Sequence, residues 1–168
     1  AITQNIADFG TGSGCILLSL LAENKLWHGQ GIDRSAEALQ IAAQNARELG
    51  LEAQVSWLNA SWFDDNLASA LRLPLDMLVS NPPYIPVADI PALAPEVKDY
   101  DPLSALDGGA DGLDHYRQIA SLAPALLKTG GWVVLEVGVG QAEDVSGIFA
   151  GSGLQPFKIV PDLAGIDR

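Results

Sequence analysis

A chain of 168 residues, 48% of them hydrophobic, is long enough to bury one substantial core. Its formal charge of −12 works against any polyanionic partner, and its nine lysines and arginines are scattered rather than gathered into a basic patch. A single cysteine excludes an intrachain disulfide and a multi-thiolate zinc site, and the longest apolar run, Cys15 to Ala22 with Ser19 inside it, is too short to span a bilayer.

Asn5 to Phe9 reads as a short apolar strand, and Asp8-Phe9-Gly10-Thr11-Gly12-Ser13-Gly14 as a glycine-rich turn into a helix over Cys15 to Ala22. Glycines let a backbone approach a ligand closely, and a helix start offers unpaired N–H groups to a carboxylate or phosphate. The spacing is G-x-G-x-G, not the G-x-G-x-x-G that suits a dinucleotide pyrophosphate, which argues against a nicotinamide cofactor. A plain strand-to-helix connection is the alternative. Cys15 opens the helix, where its thiolate would be favoured, but burial in the core is the expectation.

Gly29 to Ile32 forms a second strand that ends on Asp33, about twenty positions after the glycine turn, where a carboxylate accepts hydrogen bonds from both hydroxyls of a ribose. Ser35 then caps a helix to Leu49, with Ala38, Leu39, Ala42, Ala46 and Leu49 on one face and Gly50 as the stop. Gln54 to Leu58 is a third strand. Behind it Trp62 either stacks on a purine ring or, with Phe63, covers the edge of the core. Asp64 to Leu73 is a weakly patterned helix or loop.

Leu75 to Val79 is a fourth strand, and the prolines of Ser80-Asn81-Pro82-Pro83-Tyr84 stop it. Carbonyls near Asn81 and Pro82 then lack a ladder partner, and the Asn81 side chain adds a carbonyl and an amide. A carboxamide or an exocyclic amine, each with two N–H donors, fits such acceptors in a fixed plane, with Tyr84 packing on its flat face. An ordinary Pro-Pro turn is the bland alternative.

The stretch from Asn81 to Asp111 carries six prolines and little periodicity, and is expected to be a lid over the site. Its Asp89, Glu96, Asp99, Asp101 and Asp107 show no metal-binding spacing, so a solvated loop and no metal are expected. Gly112 to Leu127 is helical by periodicity, with a kink at Pro124 and a stop at Gly130-Gly131. Trp132 to Val137 reads as a central strand buried on both faces, Gln141 to Ala150 as a last helix and Pro156 to Val160 as a sixth strand. His28 and His115 are isolated and expected to be locally bonded surface groups. The alternation predicts an α/β fold with a parallel sheet covered on both faces.

Asp8 to Gly14, Asp33, Trp62, Asn81-Pro82-Pro83-Tyr84 and the stretch Asp101 to Leu113, with its Leu106-Asp107-Gly108-Gly109-Ala110-Asp111-Gly112-Leu113, together resemble the HemK/PrmC protein glutamine methyltransferases. The resemblance covers essentially the whole chain. It implies a Rossmann-like class I S-adenosylmethionine-dependent methyltransferase domain over residues 1–168, with a mostly parallel sheet whose final strand is missing and without the family's N-terminal helical substrate-binding domain. The chain, which enters a strand almost at once, is accordingly expected to be a piece of a longer protein.

The activity implied is methylation of the glutamine in the Gly-Gly-Gln motif of peptide chain release factors, in the cytoplasm, leaving S-adenosyl-L-homocysteine. By the same resemblance Gly10, Thr11, Gly12, Ser13 and Gly14 line the methionine part of S-adenosyl-L-methionine, Asp33 binds its ribose and Trp62 contacts its adenine. Asn81 also touches the cofactor and, with the Pro82 carbonyl, Pro83 and Tyr84, receives the glutamine amide. The family often has Asp where Ser61 stands. Alternatives are a ribosomal-protein glutamine, an adenine amino group in DNA or RNA, which the acidic charge disfavours, and a folded cofactor-binding module without turnover.

Overall fold

The computed structural model describes residues 3–156 and 158–168. The chain divides into two compact units, Ala1–Asn81 with Ala125–Val134, and Pro82–Pro124 with Leu135–Arg168.

The first unit is built on a sheet of β1 (Gln4–Phe9), β2 (Trp27–Asp33), β3 (Val55–Asn59), β4 (Leu75–Ser80) and β5 (Leu127–Leu135), in the order β3-β2-β1-β4-β5. β1 pairs in parallel with β2, with Phe9 opposite Ile32, and with β4, with Phe9 opposite Ser80; β2 pairs in parallel with β3. Parallel neighbours need crossovers, and α1 (Cys15–Glu23) and α2 (Ala36–Leu49) supply the first two. The Ser35 side chain accepts from the Ala38 N–H and Gly50 closes α2 in a left-handed conformation, as the capping pattern predicts. Ile6, Leu17, Leu18, Leu21, Ala46, Leu51 and Val79 form a core cluster on which Trp27, Val55, Trp57 and Met77 also pack.

Several expectations are corrected, beginning with Leu49, which is 60% exposed at the end of α2 while Leu39, Ala42 and Ala46 are buried. Cys15 is exposed, because α1 turns Leu17, Leu18 and Leu21 inward and leaves its first residues outward. The fifth strand begins at Leu127, not Trp132, and contains the glycine pair expected to precede it. It is also last in the strand order, with Trp132 49% and Val134 50% exposed, so its apolar run does not mark a strand buried on both faces. A continuous apolar run is ambiguous between those placements.

In the second unit α3 (Asp114–Leu126) buries Tyr116, Ile119, Ala120 and Ala123, and contains Pro124 in its last turn. α4 (Ala142–Gly151) buries Val145 and Phe149. The proline-rich stretch holds only short helical turns, at Ile90–Ala92, Pro95–Lys98 and Leu103–Leu106. Among the described residues of 156–160 there is no strand, and Phe157 lies outside them. An isolated antiparallel bridge, Pro161 to Asp167, follows instead. Among the described residues no helix is long and apolar enough to cross a membrane.

Candidate active site

The carboxyl ends of β1, β2 and β4 share one edge of the sheet, since Phe9 stands opposite both Ile32 and Ser80. The chain builds outward from β1 through β2 to β3 and then returns to the other side of β1 with β4. That reversal is a topological switch point, and open α/β sheets bind ligands at the carboxyl edge of such a point. Gly10, Asp33 and Asn81 are the first residues beyond, or the last residue of, the three strands concerned. Ser80 donates its hydroxyl to the Phe9 carbonyl at 2.6 Å and ties the two strand ends together.

The glycine turn is folded back onto β2 by the N–H groups of Gly10 and Thr11, which both donate to the Ile32 carbonyl, at 2.9 and 3.0 Å. Gly12 has φ +54° and nothing within 4 Å of where a Cβ would stand, so the turn presents bare backbone to open space. Its N–H donates to Asp33 Oδ2 at 2.8 Å, while Asp33 Oδ1 accepts from the Ser35 N–H at 2.9 Å. Each carboxylate oxygen keeps a lone pair for a further donor, and the residue is half-buried. These are the features a ribose-binding carboxylate needs. From α2, Asn45 donates to the Ser13 carbonyl at 2.9 Å and holds the far end of the turn.

Trp62 is only 6% exposed and stacks on Phe9, with ring centroids 5.9 Å apart and planes 10° from parallel. Its six-membered ring lies 3.3 Å from where a Cβ on Gly10 would stand, so it walls the base of the turn. Trp62 thus packs on the end of β1, while Phe63, paired with it in the core-edge reading, is 50% exposed.

Asp8, which the sequence reading passed over as a site residue, lies beneath the turn, 1% exposed, and its Oδ2 accepts from the Thr11 hydroxyl at 2.8 Å. Burial pushes its carboxyl up to about 6; the bonds from Thr11 and the Leu17 backbone pull the other way, and Asp33 adds a small push upward. A carboxyl raised on folding stabilises the folded state below its unfolded value near 3.8, and that contribution is lost as pH rises through about 6. Asp8→Asn keeps an acceptor for Thr11 and removes the buried charge. Its amide would stand where Asp8 Oδ1 has no hydrogen-bond partner, at a cost that does not change with pH, so the variant's stability relative to wild type is expected to rise by up to about 3 kcal/mol between pH 4 and 7, with a flatter melting temperature over that range. Identical pH profiles of melting would refute this.

Asn81 is exposed at the end of β4, and Pro82, Pro83 and Tyr84 open the second unit, the prolines buried and Tyr84 half-buried. Within that unit the segment after Tyr84 is paired in parallel with the Leu106-Asp107-Gly108-Gly109 stretch. Ile85 N–H donates to Leu106 O at 3.0 Å, Gly108 N–H to Ile85 O at 2.9 Å and Val87 N–H to Gly109 O at 3.0 Å. The turn is set by its own carboxylates. Asp107 Oδ1 accepts from the Gly109 N–H at 2.9 Å, and Asp111 Oδ1 from the Leu113 N–H at 3.1 Å. Arg117 grips Asp111 with both terminal nitrogens, at 2.9 and 2.5 Å, and holds its carboxyl down at about 2. His115 is locally bonded as expected, its Nε2 3.1 Å from the Asp107 carbonyl. The Tyr84 hydroxyl faces Glu136 at 3.5 Å, and burial, with that carboxylate, raises its pKa. Among the described residues no cluster of His, Cys, Asp or Glu could hold a metal ion.

Strand order, glycine turn and acidic β2 terminus define a Rossmann-like architecture, and solved structures share that fold. A ribosomal protein L11 methylase from Lactobacillus delbrueckii subsp. bulgaricus superposes with a TM-score of 0.62 at 19% identity, covering 99% of this chain and 68% of that one. A precorrin-6y C5,15-methyltransferase from Geobacter metallireducens gives 0.60 at 14% identity, over 89% of this chain and 62% of the other. The chain belongs to the methyltransferase small domain family, whose model matches residues 1–91. Its sequence is 52% identical to the release factor glutamine methyltransferase of Rhodospirillum rubrum, over 97% of this chain and 49% of that protein. It is 44% identical to the enzyme of the same name from Geobacter sulfurreducens, over 97% of this chain and 55% of that one. The chain therefore spans about half the length of these curated relatives.

Proposed function

We propose that this chain is the catalytic domain of a cytoplasmic protein glutamine methyltransferase that acts on the glutamine of the Gly-Gly-Gln motif of peptide chain release factors. The observation that carries the reading is the placement of Asn81 at the carboxyl end of β4, directly beside the β1 strand that feeds the glycine turn. Bound S-adenosyl-L-methionine would supply a methyl group activated by a positive sulfur. The open backbone at Gly12 and the two available lone pairs of Asp33 fit such a ligand: Gly10, Thr11, Gly12, Ser13 and Gly14 would take its methionine part, Asp33 its ribose and Trp62 would border its adenine.

The acceptor half follows from amide chemistry. A carboxamide nitrogen is a weak nucleophile because its lone pair is delocalised, so aligning it with the methyl group is most of the available catalysis. Asn81 Oδ1 and the Pro82 carbonyl would accept its two N–H bonds, and fixed acceptors favour the positive charge that grows on nitrogen during transfer. Transfer would leave S-adenosyl-L-homocysteine and a cationic N-methyl amide, which is acidic enough to give its extra proton to water, so a strong base is not needed. Glutamate brings no N–H donors and would leave both acceptors unpaired, which gives selectivity. The relatives' names and the 52% identity support the release factor as substrate.

The test is transfer of a labelled methyl group from S-adenosyl-L-methionine to a release factor, with a Gln-to-Glu version of its motif as control and duplex DNA as competitor. Label on the glutamine protein alone is expected. Label on DNA would move the reading to adenine methylation, and cofactor binding without transfer would leave the chain a binding module.

A further inference from the structure

The backbone of Tyr84 is held by a side chain that belongs to none of the motifs discussed above. Gln141, half-buried and immediately before α4, accepts from the Gly138 N–H at 3.0 Å through Oε1. Its Nε2 donates to the Tyr84 carbonyl at 3.0 Å and points at the Gly112 carbonyl at 3.5 Å. The partners dictate the amide's orientation, since a donor stands on one side and carbonyls on the other. One side chain thus joins three segments of the second unit.

The space for it is left by two glycines. A Cβ on Gly112, whose φ is +79°, would stand 2.6 Å from Gln141 Nε2 and would also collide with the Tyr84 carbonyl. A Cβ on Gly138 would stand 2.5 Å from Gln141 Oε1 and 3.0 Å from Tyr84 Cδ2. Downstream of Tyr84 the chain is fixed by the ladder to Leu106–Gly109, whereas the Tyr84 carbonyl itself is taken by Gln141. Upstream, Pro82 and Pro83 each have φ locked by their rings, and ψ of Pro82 is confined to the extended region by the proline that follows it, so little torsional freedom separates the Pro82 carbonyl from Tyr84.

We infer that Gln141 is a positioning residue for the Pro82-Pro83-Tyr84 part of the acceptor motif: by fixing the Tyr84 carbonyl within the second unit, it sets where the Pro82 carbonyl points. This rests on the glutamine-transfer reading above. Both ends of the amide are used, so an isosteric replacement discriminates. Gln141→Glu puts a charged oxygen against two carbonyls, and Gln141→Met keeps the bulk without either hydrogen bond.

Wild type, Q141E and Q141M are compared in methyl transfer to the release factor, cofactor binding by calorimetry, and hydrogen exchange at Gly138 and Tyr84–Val87. Both variants are expected to bind the cofactor within about threefold of wild type while kcat falls about 10- to 100-fold, the scale of a small misplacement of reacting groups. Protonation restores a donor to the Q141E carboxyl, so its deficit shrinks as pH falls, whereas the Q141M deficit does not. A purely structural role predicts that melting temperature and cofactor binding fall together with kcat in both variants. A kcat within twofold of wild type, or a pH-independent Q141E deficit, overturns the inference. If the wild type itself transfers no methyl group, the glutamine-transfer reading fails, and exchange decides this one. Faster exchange at those amides in Q141M supports the restraint; unchanged exchange overturns it.

Discussion

Asn81→Ala is expected to lower methyl transfer at least about 100-fold, the scale for losing one preorganised hydrogen-bonding group at a reacting centre. Cofactor affinity should change only a few-fold, because the glycine turn and Asp33 remain. The side chain is exposed at the end of β4, so its removal opens no cavity, and stability should stay within about 0.5 kcal/mol of wild type. The loss should fall on kcat with the release factor as acceptor, since the Asn81 carbonyl matters most as charge develops on the amide nitrogen. Asn81→Asp is the informative companion: it keeps an acceptor of the same shape but adds a charge. Equal single-turnover rates for wild type and Asn81→Ala would remove Asn81 from the chemistry.

Asp33→Ala is expected to weaken S-adenosyl-L-methionine binding about 100-fold or more, because hydrogen bonds to a charged group contribute roughly 1.5–3 kcal/mol each and a ribose offers two hydroxyls. The carboxylate also anchors the turn, taking the Gly12 N–H at 2.8 Å and the Ser35 N–H at 2.9 Å. Truncation therefore loosens the backbone that should meet the methionine part as well. Asp33→Asn separates the effects: it keeps one carbonyl oxygen for a turn N–H and loses the charge, and should fall between wild type and alanine. Calorimetric titration with the cofactor measures both variants, and an alanine variant within threefold of wild type would rule out the ribose role.

What the chain declared in its order of residues is what short-range chemistry controls. Short apolar runs and helical periods located β1 to β4, α1 and α2 to within a residue or two, because a strand covered on both faces reads as a continuous run and a helix buries one face. The glycine spacing, the aspartate at the end of β2 and the prolines that end β4 were legible because they are backbone constraints, and they name the local geometry before any partner is known.

Tertiary structure alone decided the rest. Strand order is a long-range choice, and only the order β3-β2-β1-β4-β5 brings Ser80 opposite Phe9 and so sets Asn81 beside the glycine turn. The burial of Trp62 on Phe9 depends on that packing, since an aromatic after a strand fits a ligand platform or a core edge equally well. The apolar run of β5 could not reveal that the strand starts at Leu127 and lies last in the sheet. Gln141 left no mark in the sequence beyond opening a helix. Its three partners stand 57, 29 and 3 positions away, and a side-chain amide that bonds backbone at such separations has no periodic signature.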